Sequence, residues 1–185
     1  MPNTYCGITA GIGQTCLDLR RTGGLAKRVW LGNMTDLRAA FDVTSAAYIT
    51  TIELNTYATL YGFDGPKFHA SADAVLVKTD QGNVSFTHTV NMNLVNTDPT
   101  EDAQLEALSV SDVGAIVQTM NNDFLIYGAG NGLSATALST PTGKNIGDSS
   151  LTPITLSGTE RTLAKRFLVG GSVTLTLARL VAQTA

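Results

Sequence analysis

Residues 84–94, Val-Ser-Phe-Thr-His-Thr-Val-Asn-Met-Asn-Leu, alternate with a strict period of two. Val84, Phe86, His88, Val90, Met92 and Leu94 fall on one side; Ser85, Thr87, Thr89, Asn91 and Asn93 fall on the other. Successive side chains of a strand point to opposite faces, so this pattern makes one face apolar and the other polar, whereas a helix would scatter it around its axis. The chain is thereby committed to a sheet with a core against one side and water against the other. The run is also long for a strand, which implies a broad sheet or a hairpin that projects from the body.

The neighbouring segments extend this reading. Residues 70–78 are placed to pair with 84–94 across the turn Thr79-Asp80-Gln81-Gly82-Asn83. Residues 25–31 form a first strand stopped by Gly32-Asn33 and carry the only Trp, Trp30, which is expected in the core. Residues 34–41 suit a short helical turn, and residues 50–57 alternate as a half-buried strand should. Pro99, with Glu101 and Asp102 in the first turn and Ala103, Leu105 and Leu108 behind them, predicts a helix over 99–109. Two apolar runs, 113–120 and 124–128, flank Asn121-Asn122-Asp123 and predict a hairpin. Residues 128–148 read as a long loop or a weak, edge-like hairpin, and residues 151–160 and 172–178 alternate and are expected as strands.

The expected fold is therefore mainly β: an antiparallel β-sandwich or barrel with one flanking short α-helix and extended arms and loops. Residues 1–24, rich in Gly and Thr, read as an N-terminal extended arm, and residues 25–185 as a single domain without repeats or linkers. A chain of 185 residues is long enough to bury a core without disulfides or metal.

Composition narrows the function. Only 15% of residues are charged, against roughly 25% in an ordinary globular domain. Solvent-facing positions must be filled by Thr, Ser, Asn and Gly, a surface that costs little to bury against identical neighbours, so self-association is expected. A net charge of -3 excludes a generally basic surface for gripping phosphates. No apolar stretch has the length of a membrane span, and Met1-Pro2-Asn3-Thr4-Tyr5-Cys6 does not read as a secretory signal, so synthesis in a cytoplasm is expected.

No constellation of catalytic or metal-binding groups stands out, and no enzyme activity, cofactor or metal is expected. His69 and His88 are the only imidazoles; His88 lies among apolar neighbours, where a hydrogen-bonded structural role is expected. Gly11-Ile12-Gly13 and Gly128-Ala129-Gly130-Asn131-Gly132 superficially match phosphate-binding loops, but neither follows a strand and opens a helix. Asp98, Glu101 and Asp102 are accounted for by the start of the helix, and Arg20-Arg21, Lys27-Arg28 and Lys165-Arg166 are scattered pairs suited to solvated faces or subunit salt bridges. Cys6 and Cys16 lack the spacing and His companions of a zinc site, and the sequence leaves their pairing open. Residues 61–68 read as a loop carrying Tyr61, Phe63 and Phe68, whose cover is either a partner subunit or the chain's own core. These three, with Cys6 and Ile12 of the arm, are the candidate subunit-contact residues.

The second half carries a family resemblance. An alternating strand enters a Pro-initiated helix, followed by the hairpin across Asn121-Asn122-Asp123, Gly128-Ala129-Gly130-Asn131-Gly132-Leu133, a small-residue loop, Asp148 and Ile154-Thr155-Leu156-Ser157-Gly158-Thr159-Glu160. Over roughly residues 75–167 this resembles the major tail tube proteins of tailed bacteriophages, particularly those infecting Bacteroidetes hosts. The resemblance implies a β-sandwich that closes into a hexameric ring and stacks into a tube in the virion. Its implied partners are copies of itself, other tail and connector proteins, and DNA that passes transiently and without specificity. Another virion structural protein, such as a capsid decoration, head–tail connector or tail-terminator component, or a β-sandwich carbohydrate-binding or adhesin module, are the alternative readings.

Overall fold

The long alternating strand occupies the position its pattern demands. In the computed structural model, which describes residues 23–37, 48–49, 59–66, 68–95, 99–142, 151–168 and 172–182, it is β5 (Val84–Leu94). It lies between β4 (Ala70–Lys78) and β9 (Thr152–Glu160), and β8 (Ser134–Leu138) completes an antiparallel four-stranded sheet in the order β4-β5-β9-β8. The register runs from Ala70 opposite Met92 to Lys78 opposite Val84. His88, Val90, Met92 and Leu94 are buried, while the Ser, Thr and Asn positions between them are exposed or half-exposed.

A second sheet of six strands has the order β2-β10-β7-β6-β1-β3. Its centre is β1 (Leu25–Asn33) beside β6 (Val113–Thr119) and β7 (Phe124–Tyr127); β3 (Tyr61–Asp64) forms one edge. β10 (Lys165–Phe167) and β2 (Tyr48–Ile49) form the other, and those two run parallel. Both faces of this sheet are covered, which explains why β6 reads Val-Gly-Ala-Ile-Val rather than as an alternation. Val29, Leu31, Val113, Ala115 and Val117 pack inward against Val90, Met92, Ile154 and Leu156 of the four-stranded sheet, and Leu105 and Leu108 of α2 (Pro99–Ser109) close this inner core. Trp30, Ile116, Phe124, Ile126 and Phe167 point the other way and form an outer core with Leu37, Leu60 and Leu180.

Leu37 belongs to α1 (Met34–Leu37), and its close approach rests on a cross-strand glycine pair. Gly32 and Gly114 are register partners, and a Cβ on either would stand 2.8 Å from Leu37 Cδ1. Without side chains there, the helical turn lies directly on the sheet.

The mainly β sandwich holds, with three short helices among the described residues where the sequence pattern predicts one beside a short helical turn. Residues 172–178, expected as a strand, instead begin α3 (Val173–Ala182). The alternation Val173-Thr174-Leu175-Thr176-Leu177 imitates a strand, but Thr176 and Leu180, one helical turn apart, are the residues buried against the outer core. Ser172 caps the start: its Oγ accepts from Leu175 N at 3.5 Å, while its carbonyl takes the first helical bond from Thr176 N at 3.1 Å and a second from Thr176 Oγ1 at 2.8 Å. Tertiary burial at a helical spacing has overridden β propensity. The expected loop over 61–68 is also corrected, because Tyr61–Asp64 is strand β3, paired with β1 from Arg28 opposite Asp64 to Leu31 opposite Tyr61. Arg28 Nε and Nη2 each donate to Asp64 at 2.7 Å across that pair, anchoring the register that the turn-like Gly62 and Gly65-Pro66 concealed. The expected strand over 50–57 and the arm 1–22 lie outside the described residues.

Candidate assembly surfaces

The four-stranded sheet presents its outer face to solvent. Ser71 and Asp73 of β4, Thr87, Thr89 and Asn91 of β5, and Thr155 and Thr159 of β9 lie on it. Hydroxyl and amide groups knit across the strands: Thr155 Oγ1 donates to Asn91 Oδ1 at 2.9 Å, and Thr136 Oγ1 donates to the carbonyl of Thr155 at 3.2 Å. Asp73 is the one charged group among these side chains, because every other outward position of β4, β5 and β9 is filled by Ser, Thr, Asn, Val or Pro.

Among the described residues, both edges of this sheet pair on one side only. β8 carries a register break between Ala135 and Ala137, so its edge is regular only on either side of that point. β4 has none: its nine residues pair without a shift along β5. A long regular edge presents a row of backbone donors and acceptors to any further strand. Past Phe86, the partner of Glu160, the β4–β5 hairpin continues as two strands alone to a turn where Gly82 takes φ +83°. Val75, Leu76, Val77 and Val84 are 40–57% exposed at and near this tip, so apolar side chains stand on both of its faces, beside Lys78 and Ser85.

A second feature lies at the opposite edge of the six-stranded sheet. A cleft of about 980 Å³ separates β3 from α2; Phe63, Leu94, Leu105 and Leu108 supply apolar lining, and Asp64 and Glu101 are its charged members. Tyr61 and Phe63 both line it, since they share the face of Val29 and Leu31. Phe68 does not; it sits beyond the strand at φ +65° and is 64% exposed. The structure thus brings two of the three expected aromatics together, while Cys6 and Ile12 lie outside the described residues.

Sequence reasoning missed the polar cluster behind the glycine-rich loop. Glu160 is buried, and its Oε1 accepts from Gly130 N at 2.9 Å and Asn131 N at 2.8 Å. The loop amides that suggested a phosphate cradle therefore hold the chain's own carboxylate. Glu160 has the same strand parity as Ile154 and Leu156, and an acid on the inward side of a strand was the signal that something must satisfy it. The same loop closes over Gly158, where a Cβ would collide with the carbonyl of Gly132. Beside it, His88 Nδ1 accepts from Gly128 N at 3.2 Å and Nε2 donates to the carbonyl of Thr162 at 2.9 Å, fixing the neutral Nε2–H tautomer. The Tyr127 ring stands edge-on to His88 at 5.4 Å. Burial pushes the His88 pKa down and that of Tyr127 up. His69 lies at the surface, 3.4 Å from Asn93 Nδ2. Neither imidazole meets a nucleophile among the described residues, and no group of three His, Cys, Asp or Glu there has the arrangement of a metal site.

No described helix is long and apolar enough to cross a membrane. No protein-family model, curated protein or solved structure matches this chain.

Proposed function

We propose that this chain is a structural subunit of a tailed-phage virion, whose copies close into a ring, six-membered by resemblance, and whose rings stack into the tail tube through which DNA passes. The observation that carries the reading is the four-stranded sheet, whose two edges have no strand partner among the described residues. Four strands, each antiparallel to the next, leave β4 and β8 running in opposite directions. A rotation that preserves strand direction then sets β8 of one copy antiparallel to β4 of the next, so the sheet continues from copy to copy. Closing the ring abolishes every edge of that sheet, which an open dimer does not. The hydroxyl- and amide-covered outer face supports the same reading. It offers phosphates neither a row of cations to bind nor a dense array of carboxylates to repel them. The apolar tip of the β4–β5 hairpin supplies a contact for the neighbouring ring, and connector and other tail proteins would meet the same surfaces at the ends of the tube.

Negative-stain electron microscopy of the purified protein, with light scattering for mass, tests this directly. Rings or hollow tubes are expected from the wild type, and folded monomers from Val75→Lys/Val77→Lys, which places charge on the β4 edge without touching the core. A strictly monodisperse wild-type monomer at high concentration would sink the proposal and favour a β-sandwich binding module; compact trimers would favour a decoration protein.

A further inference from the structure

Two exposed apolar features stand at opposite ends of the four-stranded sheet. The first is the inward face of the β4–β5 hairpin. His88, Val90, Met92 and Leu94 on that face are buried, and Phe86 is half-buried. Further along the same face Val84 is 52% exposed, and Leu76, the partner of Phe86, is 57% exposed. A face patterned for burial therefore runs on past the point where the described part of the second sheet covers it. The second feature is the cleft between β3 and α2. Leu31, Leu94, Leu105 and Leu108 form its floor, and its rim includes Tyr61 and Val95, which are 42% and 55% exposed.

The separation decides what can bring them together. Val84 and Leu94 are the two ends of the 11-residue β5, about 33 Å apart at the rise of a strand. A chain cannot seat its own hairpin in its own cleft, whereas a second copy displaced along the strand direction brings its hairpin to the cleft of the first. We propose that the two features are the halves of one head-to-tail contact between copies of this chain. Leu76 and Val84 of one copy fill the mouth between Tyr61 and Val95 of the next, with the polar turn of residues 79–83 beside Gln104 of α2. The cleft, about 980 Å³, has room for these two side chains with the turn beside them.

The contact rests on the proposed ring for its strength. A rotation that joins β8 of one copy to β4 of the next has its axis along the strands, so every hairpin of a ring points to one end and every cleft opens at the other. One such contact is small and weak by itself; a ring makes as many as it has copies, and they act together. The stack is then polar, because the two ends of each ring differ.

Disulfide trapping in the full chain, with Cys6→Ser/Cys16→Ser as background, reads the contact. One preparation carries Gln81→Cys in the hairpin turn and the other Gln104→Cys at the cleft, both exposed positions. Thiols that meet at random in an equal mixture give unlike pairs in the same total as like pairs. Dimers linked from position 81 to position 104 are expected to exceed like pairs by at least about tenfold, because docking raises the local concentration of the two thiols. Adding Leu76→Lys to the first preparation is expected to return the random proportion. Random proportions in the first mixture overturn the proposal, even where rings are seen; an excess without rings upholds the contact and overturns the ring. Should the background fail to fold, light scattering compares the wild type with Leu76→Lys/Val84→Lys, whose two sites are exposed. A smaller mass is expected for the variant at every concentration, and equal masses overturn the contact.

Discussion

Replacing Glu160 tests whether the glycine-rich loop is held by a single oxygen atom. Both loop amides, Gly130 N and Asn131 N, donate to the same Oε1 of a side chain that is only 5% exposed as a residue. Glu160→Ala removes that acceptor and leaves a cavity beside His88. Hydrogen bonds to a charged group contribute about 1.5–3 kcal/mol each, and the loop amides sit near enough to solvent to recover part of the loss from water. A net cost of about 3 kcal/mol follows. In a chain of this size each kcal/mol lowers Tm by about 2–4 °C, so a fall of about 6–12 °C is expected. Glu160→Gln keeps a carbonyl oxygen at the position of Oε1 and loses only the charge assistance, about half of each bond, giving about 1.5 kcal/mol. Urea and thermal unfolding followed by Trp30 fluorescence measure both. If Glu160→Gln falls as far as Glu160→Ala, the shared-acceptor account is wrong; if neither variant moves Tm by more than about 2 °C, the loop is held by something else.

The buried His88 makes stability depend on acid. Its folded pKa is lowered, chiefly by burial and against the opposing influence of the Thr162 carbonyl, Glu160 and Asp73. Protonation would also destroy the bond that Nδ1 accepts from Gly128. The unfolded chain therefore binds the proton first, and stability declines as pH falls below about 6.5, the unfolded value, toward the lower folded one. Urea midpoints at pH 7.5 and 5.5 should differ for the wild type, and the part of that difference due to this residue should vanish in His88→Asn. Trp30 is expected to tolerate Phe far better than Ala: its Nε1–H is buried without an acceptor among the described residues, so Phe removes an unsatisfied donor while Ala costs about 3–5 kcal/mol. Comparing the two variants by urea denaturation, with circular dichroism as the signal, settles this.

Elements decided by local pattern were legible in the sequence. β5, its register with β4, the helix of Pro99–Ser109 and the hairpin of β6 and β7 follow from period, cap and turn chemistry over adjacent residues. β10 was not legible, because the three residues Lys165–Phe167 carry no period and are held by pairing with β7. α3 was misread because Thr174 and Thr176 alternate with Val173, Leu175 and Leu177, and only the position of the outer core decides which of them is buried. The cleft was invisible for a different reason: β3 and α2 are far apart in the chain, and the sequence does not show that one faces the other. The inward His88 was expected as a structural histidine and has that environment, while the partner that organises its surroundings, Glu160, had to be found in three dimensions.

The six-stranded sheet is a wall shared by two rooms. Along β1 and β6 each step of one residue passes from the inner core to the outer: Val29 to Trp30 to Leu31, and Ala115 to Ile116 to Val117. Neither core can loosen while those strands keep their places, because the backbone that positions one set of side chains positions the other. A disturbance at the outer helices is therefore felt at the buried side of the four-stranded sheet through a rigid partition, and the two cores should melt in a single cooperative transition. Trp30, lodged on one side of the wall, consequently reports on both.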